Sequence, residues 1–567
     1  MKRFFAMCAV MLLLSSSALW GAGSDVADAV MKRNLSALRA LLQQKANVNA
    51  PQLDGTTALH WAAQLGDQEA ADLLIKAGAN VSAANRAGVT PLQLAATDGN
   101  AAMIEKLIKA GANPNAPLTP EGDTVLMMAA RNGKPAAIKS LLDNGAAINA
   151  RETWGGTSAL MWAVSEGHLD AARMLVERGA EINAKSYYVP AANGRGFEGR
   201  QPVNAGPEQA VQEYAGGWMT PLMLAARQGD IEAVRFFVES GADVNAVSGD
   251  GKNALGLAIF NGYYPIASYL IDKKSDVNRA DAQRFTPLFW AVDRRNMEKG
   301  ANGFAWLTTE DPLPLIRKLL EAGANPNAVV NNTPRSRNRG GSPRIVFANT
   351  LMRAVFAGDV EVAKLLLTHG ANPNTVSSDG ESMLQAAAGL AFIHGYHAEK
   401  TSDERVALVK MLIELGADVN WADHYGITPL MSAANRGDVP VLKVLIAAGA
   451  DVGAYDLGKK LDGAFHSSIE PLMAVDYAIG VGTFVPNNSF EYHKEATELL
   501  LGVMKERGIP HTTSECTLRG FTCAIANVDP KTATPLEIAK MRQIQTGFKV
   551  DGIAGGLGLK DATPNQD

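Results

Sequence analysis

Two kinds of short apolar stretch recur along the chain and keep step with each other. The first opens on a hydroxyl-bearing residue, passes through apolar positions and ends in small ones: TALHWAA from Thr57, TPLQLAA from Thr90, TVLMMAA from Thr124, SALMWAV from Ser158, TPLMLAA from Thr220, TPLFWAV from Thr286 and TPLMSAA from Thr428. The second carries adjacent apolar residues, Leu73 with Leu74, Leu107 with Ile108, Leu141 with Leu142 and Leu365 with Leu366. It closes on a polar phrase such as Gly78 to Ala83 (GANVSA), Gly111 to Ala116 (GANPNA), Gly145 to Ala150 (GAAINA), Gly179 to Ala184 (GAEINA), Gly241 to Ala246 (GADVNA) or Gly416 to Trp421 (GADVNW). Gly78 and Gly111 stand 33 residues apart, and Gly145 and Gly179 follow at intervals of 34. Apolar positions at helical spacing, punctuated this way, predict two short helices and a turn per period.

Each residue type in these phrases has a local reason. Thr or Ser caps a helix N-terminus, Pro fits the first helical position because its missing N–H has no partner there, and Leu opens the buried stripe. The Ala pair lets neighbouring helices approach closely. Gly66, Gly99, Gly133, Gly167 and Gly229 follow the first helix and can take the left-handed conformation that ends it. Weaker copies begin at Asn253 (NALGLAI), Thr350 (TLMRAVF), Ser382 (SMLQAAA) and Glu470 (EPLMAVD), and a last TPLEIAK begins at Thr534. A single period cannot bury its own apolar face, so stability must come from stacking on neighbours.

The paired phrases closely resemble the TPLHxAA signature of the ankyrin repeat family, from about Asp25 to Lys540. The resemblance implies an all-α fold, an ankyrin-repeat α-solenoid of stacked helix pairs with β-hairpin finger loops and loop insertions. It also implies a non-catalytic protein–protein interaction scaffold of about a dozen repeats, with an unidentified protein partner and no cofactor. The expected organisation is a signal peptide over 1–23, an N-terminal capping repeat over 24–50, a repeat array over 51–454, degenerate C-terminal repeats over 455–546 and a flexible tail over 547–567. Only His60 keeps the family's histidine; Gln93, Met127, Met161, Met223, Phe289 and Met431 take that place elsewhere. The methionines are expected to pack between helices, because an unbranched thioether fills core gaps. Lys45 and Lys274 replace the second capping glycine at a local cost of up to ~1 kcal/mol.

The period breaks in two ways, and breaks are where individuality is expected. Insertions between repeats run from Lys185 to Gly217, Val329 to Ala348, Tyr455 to Ser467 and Thr512 to Lys531. Others replace the turn inside a helix pair, Arg295 to Asp311, Gly389 to Glu404 and Ala478 to Tyr492, in repeats expected to lack the glycine that ends a first helix. Candidate partner-binding residues concentrate there: Tyr187, Tyr188, Phe197, Tyr214 and Trp218; Trp306; Arg335, Arg337 and Arg339; and His394, Tyr396 and His397. Aromatic side chains in loops either anchor a partner or fold back over the adjacent repeats. The arginines suit forked recognition of phosphate or carboxylate, or form a solvated loop. His394 and His397 could share a helical face with a metal, but HGYHAE lacks the HExxH arrangement and a defined third ligand. No nucleophile elbow or phosphate-binding loop is present, so a metal-binding or hydrolytic site built by the inserted loops is the alternative to the scaffold, and a structural spacer is a third reading.

Composition and charge add little to the fold and something to the partner. Hydrophobic residues make up 47% and charged residues 20% of 567, which is globular. The net charge of −5 is the wrong sign for a nucleic-acid backbone or an anionic membrane. Lys2 and Arg3 followed by the apolar run Phe4 to Leu14 and by small residues read as a cleavable secretory signal, giving a periplasmic or secreted protein. The alternative is a membrane tether by an uncleaved signal anchor, against which the run is shorter than the ~20 residues of a spanning helix. No later run is long enough to insert. In an oxidising compartment Cys516 and Cys523 are expected to form a disulfide, worth ~2–3 kcal/mol on so short a loop; a metal or redox pair lacks the C-x-x-C spacing.

Overall fold

The computed structural model describes residues 25–189, 216–296, 310–330, 349–377, 380–389, 401–457, 472–479 and 493–510. Among them are 24 helices and one pair of two-residue strands, so the architecture is all-α. Two compact units organise the chain, one of residues 1–188 with 217–243 and one of 189–216 with 244–567.

The first unit begins with α1 (Asp25–Met31) and α2 (Leu35–Gln43) and continues with α3 (Ala58–Leu65) and α4 (Gln68–Lys76), α5 (Pro91–Asp98) and α6 (Ala101–Lys109), and α7 (Val125–Arg131) and α8 (Pro135–Asp143). The pairs α9 (Ala159–Ser165) with α10 (Leu169–Glu177) and α11 (Pro221–Gln228) with α12 (Ile231–Glu239) complete it. First helices pack on first helices and second on second, as α3 does on α1 and α5, and α6 on α8.

The local chemistry is the one read from the phrases. Thr90 Oγ1 accepts from the Gln93 N–H at 3.3 Å, Pro91 fills the first helical position, and Gly99 ends α5 at φ +79°. Asp67 caps α4 by accepting from the Ala70 N–H at 2.9 Å. Ala62, Ala63, Ala95 and Ala96 are fully buried where the first helices meet. One member of each apolar pair, Leu74, Leu107, Leu141 and Leu366, is fully buried, while Leu73, Ile108 and Leu142 are half-buried. Each complete burial stabilises the stack by about 1.5–3 kcal/mol.

The asparagine of the polar phrase joins one repeat to the next. Asn49 donates to the Gly78 carbonyl at 3.1 Å and accepts from the Asn80 N–H at 2.7 Å; Asn115 does the same with Gly145 and Ala147, at 2.9 and 2.7 Å. Within the second unit Asn278 bonds Gly323 and Asn325 in this way, and Asn420 bonds Gly449 and Asp451. A shorter side chain could not reach both groups. The fingers form a second set of rungs: Arg86 N–H donates to Asp54 O at 2.9 Å, and Thr153 N–H to Glu121 O at 2.7 Å.

The second unit pairs α13 (Ala254–Phe260) with α14 (Tyr264–Asp272), α15 (Pro287–Arg295) with α16 (Leu313–Glu321), and α17 (Thr350–Phe356) with α18 (Val360–Thr368). It continues with α19 (Met383–Ala388) and α20 (Ser402–Glu414), α21 (Pro429–Arg436) and α22 (Val439–Ala447), and α23 (Ala474–Ile479) and α24 (Lys494–Glu506).

Several sequence expectations shift here. The phrase expected from Thr350 starts one residue earlier, because Asn349 is the cap and accepts from the Met352 N–H at 3.0 Å. The phrase expected from Glu470 starts at Met473, whose N–H donates to Asp476 Oδ2 at 2.8 Å, a cap made from inside the helix. Gly389 does end its first helix in the left-handed region, at φ +106°, contrary to expectation. Arg295 and Ala478 belong to α15 and α23, and Glu404 lies in the first turn of α20, so these insertions are shorter than their expected bounds. Lys45 and Lys274 take φ +57° and +65°, the strained geometry foreseen for them.

Candidate interaction surface

Finger loops of the first unit are held from within by carboxylates. Asp54 accepts the Thr56 N–H at 2.9 Å and its hydroxyl at 2.8 Å, and these bonds hold its carboxyl below the usual range. Burial pushes Glu152 upward, but the N–H groups of Thr157, Gly155 and Trp154, at 2.6 to 2.9 Å, outweigh it and keep the group ionised. Satisfying three backbone donors with one side chain fixes the loop around Gly155 and Gly156. The result is a rigid finger that carries Trp154 outward, 80% exposed.

The next finger leans on it. Tyr187 N–H donates to Gly155 O at 2.7 Å, and the Tyr187 ring covers Gly156, where a Cβ would come within 2.6 Å of it. Ser186 N–H donates to Met219 O at 3.0 Å and Trp218 N–H to Tyr187 O at 3.3 Å, beside the strand pair β1 (Tyr188–Val189) and β2 (Gly216–Gly217). Trp218 adopts φ +51°, and its ring lies 4.9 Å from that of Tyr188 and 5.9 Å from the Lys185 ammonium. Tyr187, Tyr188 and Trp218 are 44%, 45% and 44% exposed. These rings make packing contacts and remain partly exposed to water.

On the adjoining first helices, the fifth residue of each phrase forms a row of half-buried side chains, Trp61, Leu94, Met128 and Trp162. Trp61 Nε1 donates to Gln52 Oε1 at 2.8 Å, and the Arg131 guanidinium lies 4.7 Å over the Trp162 ring. Fingers and first helices together offer large, pre-positioned aromatic area with arginine at its edge, the chemistry of interface anchors.

The same row in the second unit is closed. Leu257, Trp290, Arg353, Ala386, Ser432 and Tyr477 are all buried. Arg353, fully buried, donates through Nε to Asp293 Oδ1 at 2.6 Å. Arg295 pairs with Asp359 at 2.8 Å, with Glu361 at 3.1 Å and with Asp311. Lys252 is buried against Phe260 and Trp290, and Asp281 and Asp250 at 3.2 and 2.8 Å overcome the burial and raise its pKa. Asp423, raised to about 6 by burial, gives its oxygens to the Ile427 and Tyr425 N–H groups and to Gln385 Nε2. These bonds tie the loop around Tyr425 to α19.

Of the residues singled out in the sequence, the structure brings together Tyr187, Tyr188 and Trp218. Phe197, Tyr214, Trp306, Arg335, Arg337, Arg339, His394, Tyr396, His397, Cys516 and Cys523 lie outside the described residues. Glu404, beside the histidines in sequence, accepts from the Thr401 N–H and serves as a cap. Met127, Met161, Met223 and Met431 are buried between helices. Trp154 was not anticipated; its only sequence signal is a tryptophan between Glu152 and a Gly-Gly turn. Among the described residues no three His, Cys, Asp or Glu side chains are placed to hold a metal, and no helix is long and apolar enough to cross a membrane.

A family model made of three ankyrin repeats matches four segments, residues 26–117, 115–186, 222–302 and 351–456. The chain belongs to the ankyrin repeat family. Among its relatives is the putative ankyrin repeat protein YahD of Escherichia coli, 30% identical over 229 residues, which cover 40% of this chain and 95% of YahD. The ankyrin repeat protein nuc-2 of Neurospora crassa is 26% identical over 250 residues, 43% of this chain and 19% of nuc-2. This chain thus spans nearly all of YahD and about a fifth of nuc-2. Among solved structures, the ankyrin repeat domain of Bcl-3 aligns over 41% of this chain and 93% of its own, at 27% identity and a TM-score of 0.34. Ankyrin repeats are protein-interaction scaffolds.

Proposed function

We propose that this protein is a non-catalytic scaffold of about a dozen ankyrin repeats, exported from the cytoplasm, that holds a protein partner on the fingers and first helices of its first unit. The observation that carries the reading is four aromatic side chains on neighbouring fingers, Trp154, Tyr187, Tyr188 and Trp218, between 44% and 80% exposed on loops held by backbone hydrogen bonds. Aromatic anchors of this size lose little entropy on binding and bury much area. The basic and apolar leader, Lys2 to Leu14, supports export to the periplasm or beyond, and a Cys516–Cys523 disulfide fits that compartment.

The test compares three variants as bait in envelope extract: Tyr188→Ala with Trp218→Ala, Trp154→Ala alone, and Lys139→Ala on the exposed side of α8. The aromatic variants are expected to lose captured partner at least about tenfold with an unchanged Tm, as hot-spot truncation does, while Lys139→Ala behaves as the parent. Equal capture by all three sinks the reading, and a lowered Tm in the aromatic variants reassigns those rings to packing. Mass spectrometry of the mature N-terminus checks export: a chain starting at Met1 in the cytoplasm contradicts it.

A further inference from the structure

One joint recurs between a first helix and the finger that follows it. In α19 the Ser382 N–H donates to Gln385 Oε1 at 2.8 Å, and Gln385 Nε2 donates onward to the Ile427 carbonyl at 2.8 Å. In α3 the same place holds His60, with the Thr57 N–H 3.2 Å and the Thr57 hydroxyl 2.8 Å from Nδ1, and Nε2 2.9 Å from the Val89 carbonyl. A ring nitrogen that accepts a backbone N–H carries no proton, so the proton is on Nε2 and is donated to Val89. His60 is 1% exposed. A glutamine makes both bonds at any pH; a histidine makes them only while neutral.

We propose that His60 is an acid-released latch between α3 and the finger formed by residues 85–89. Protonation places a hydrogen on Nδ1, opposite the Thr57 N–H. The Thr57 hydroxyl can rotate to accept it, but the backbone donor cannot, so one cap bond is lost and a charge is left inside the stack. Burial holds the imidazole below its ordinary 6.5, against the smaller opposing pull of the Val89 carbonyl and of Asp54. Of the other carboxylates on elements packed against α3, Asp28 of α1 accepts from Gln52, Asp67 caps α4, Glu69 pairs with Arg39 and Asp72 with Lys106, while Asp25 is exposed at the start of α1. On α5 the charge is Asp98, exposed at the helix C-terminus. A folded-state pKa below the unfolded one means that stability is complete above 6.5 and falls as pH drops through that value toward the folded pKa. Gln93, Met127, Met161, Met223, Gly256, Phe289, Met352, Gln385 and Met431 occupy this place in other repeats, and in α23 it holds the carboxylate of Asp476; none is an imidazole, so a histidine response belongs to one joint. It lies beside Trp61, at the N-terminal end of the open row.

Hydrogen exchange of peptides covering 57–65 and 85–97, corrected for the intrinsic pH dependence, reads the latch in the full chain between about pH 7.5 and 5, the window in which an imidazole titrates. The parent is expected to open more often below 6.5, by up to about tenfold per pH unit, the slope of one linked proton. His60→Gln and His60→Met, each with precedents at this place in the same chain, are expected to show a flat response. The same acid response in either folded variant overturns the proposal, and so does a flat response in the parent.

Discussion

The fifth residue of the first-helix phrase behaves oppositely in the two units. In the first, Trp61, Leu94, Met128 and Trp162 are half-buried, and only Leu224 is closed off; in the second, all six from Leu257 to Tyr477 are buried. The repeat frame is the same, since both units use Thr, Ser or Asn caps and both carry the asparagine ladder. What differs is the demand on the side chain. An open position accepts a large aromatic that can meet a partner. A closed one accepts a guanidinium only if a carboxylate such as Asp293 is buried with it, because an uncompensated charge there is costly.

The largest expected effect breaks the closed side of this comparison. Asp293→Ala removes the carboxylate buried against Arg353 Nε and should lower the stability of the second unit by about 3–5 kcal/mol, whereas replacing the pair together with Leu and Met should recover most of it. Urea unfolding followed by probes in each unit measures this. A cost under about 1 kcal/mol, no more than an exposed pair is worth, would mean the pair does not hold this region together.

A smaller effect contrasts the units by pH. Between 3.8 and about 6 the native state keeps a proton on Asp423 that the unfolded chain has released, so the second unit should lose stability as pH rises through that window. The full swing is on the order of 2–3 kcal/mol. Asp423→Asn should flatten the slope. The first unit should respond in the reverse sense through His60, so unfolding curves of the two units at pH 5 and 7 should move in opposite directions; parallel movement would refute the contrast.

The smallest effect should be common to both units. Lys45 and Lys274 are each held at positive φ, so Lys45→Gly and Lys274→Gly should each stabilise by up to ~1 kcal/mol, equally in the two settings. Unequal gains in thermal unfolding would show that the local frame is not shared.

Much of the fold was legible because its signals are local. Thr90, Pro91 and Gly99 mark a helix by capping, by a missing donor and by a left-handed stop, none of which needs a distant partner. Legibility failed where a cap comes from inside the helix, as Asp476 supplies it to Met473, so that Pro471 drew the phrase three residues too early. It failed again at Asn349, where Thr350 stood in the proline place and mimicked a cap. Of the surface, Tyr187, Tyr188 and Trp218 were legible as aromatics in an interrupted finger. Trp154 was hidden in a finger of ordinary length, its role visible only once Glu152 is seen gathering the backbone N–H groups around it.

By itself the sequence determined the repeat, its period and its helix boundaries to within a residue or two in the regular copies, because capping and helical periodicity act over a few residues. Only the tertiary structure decided which copies of one motif position face water and which are sealed. That depends on what neighbouring repeats place against each side chain. It also decided that His60 and Gln385 do the same work with different chemistry, since their shared partner is a carbonyl on the following finger, 29 and 42 residues further along the chain.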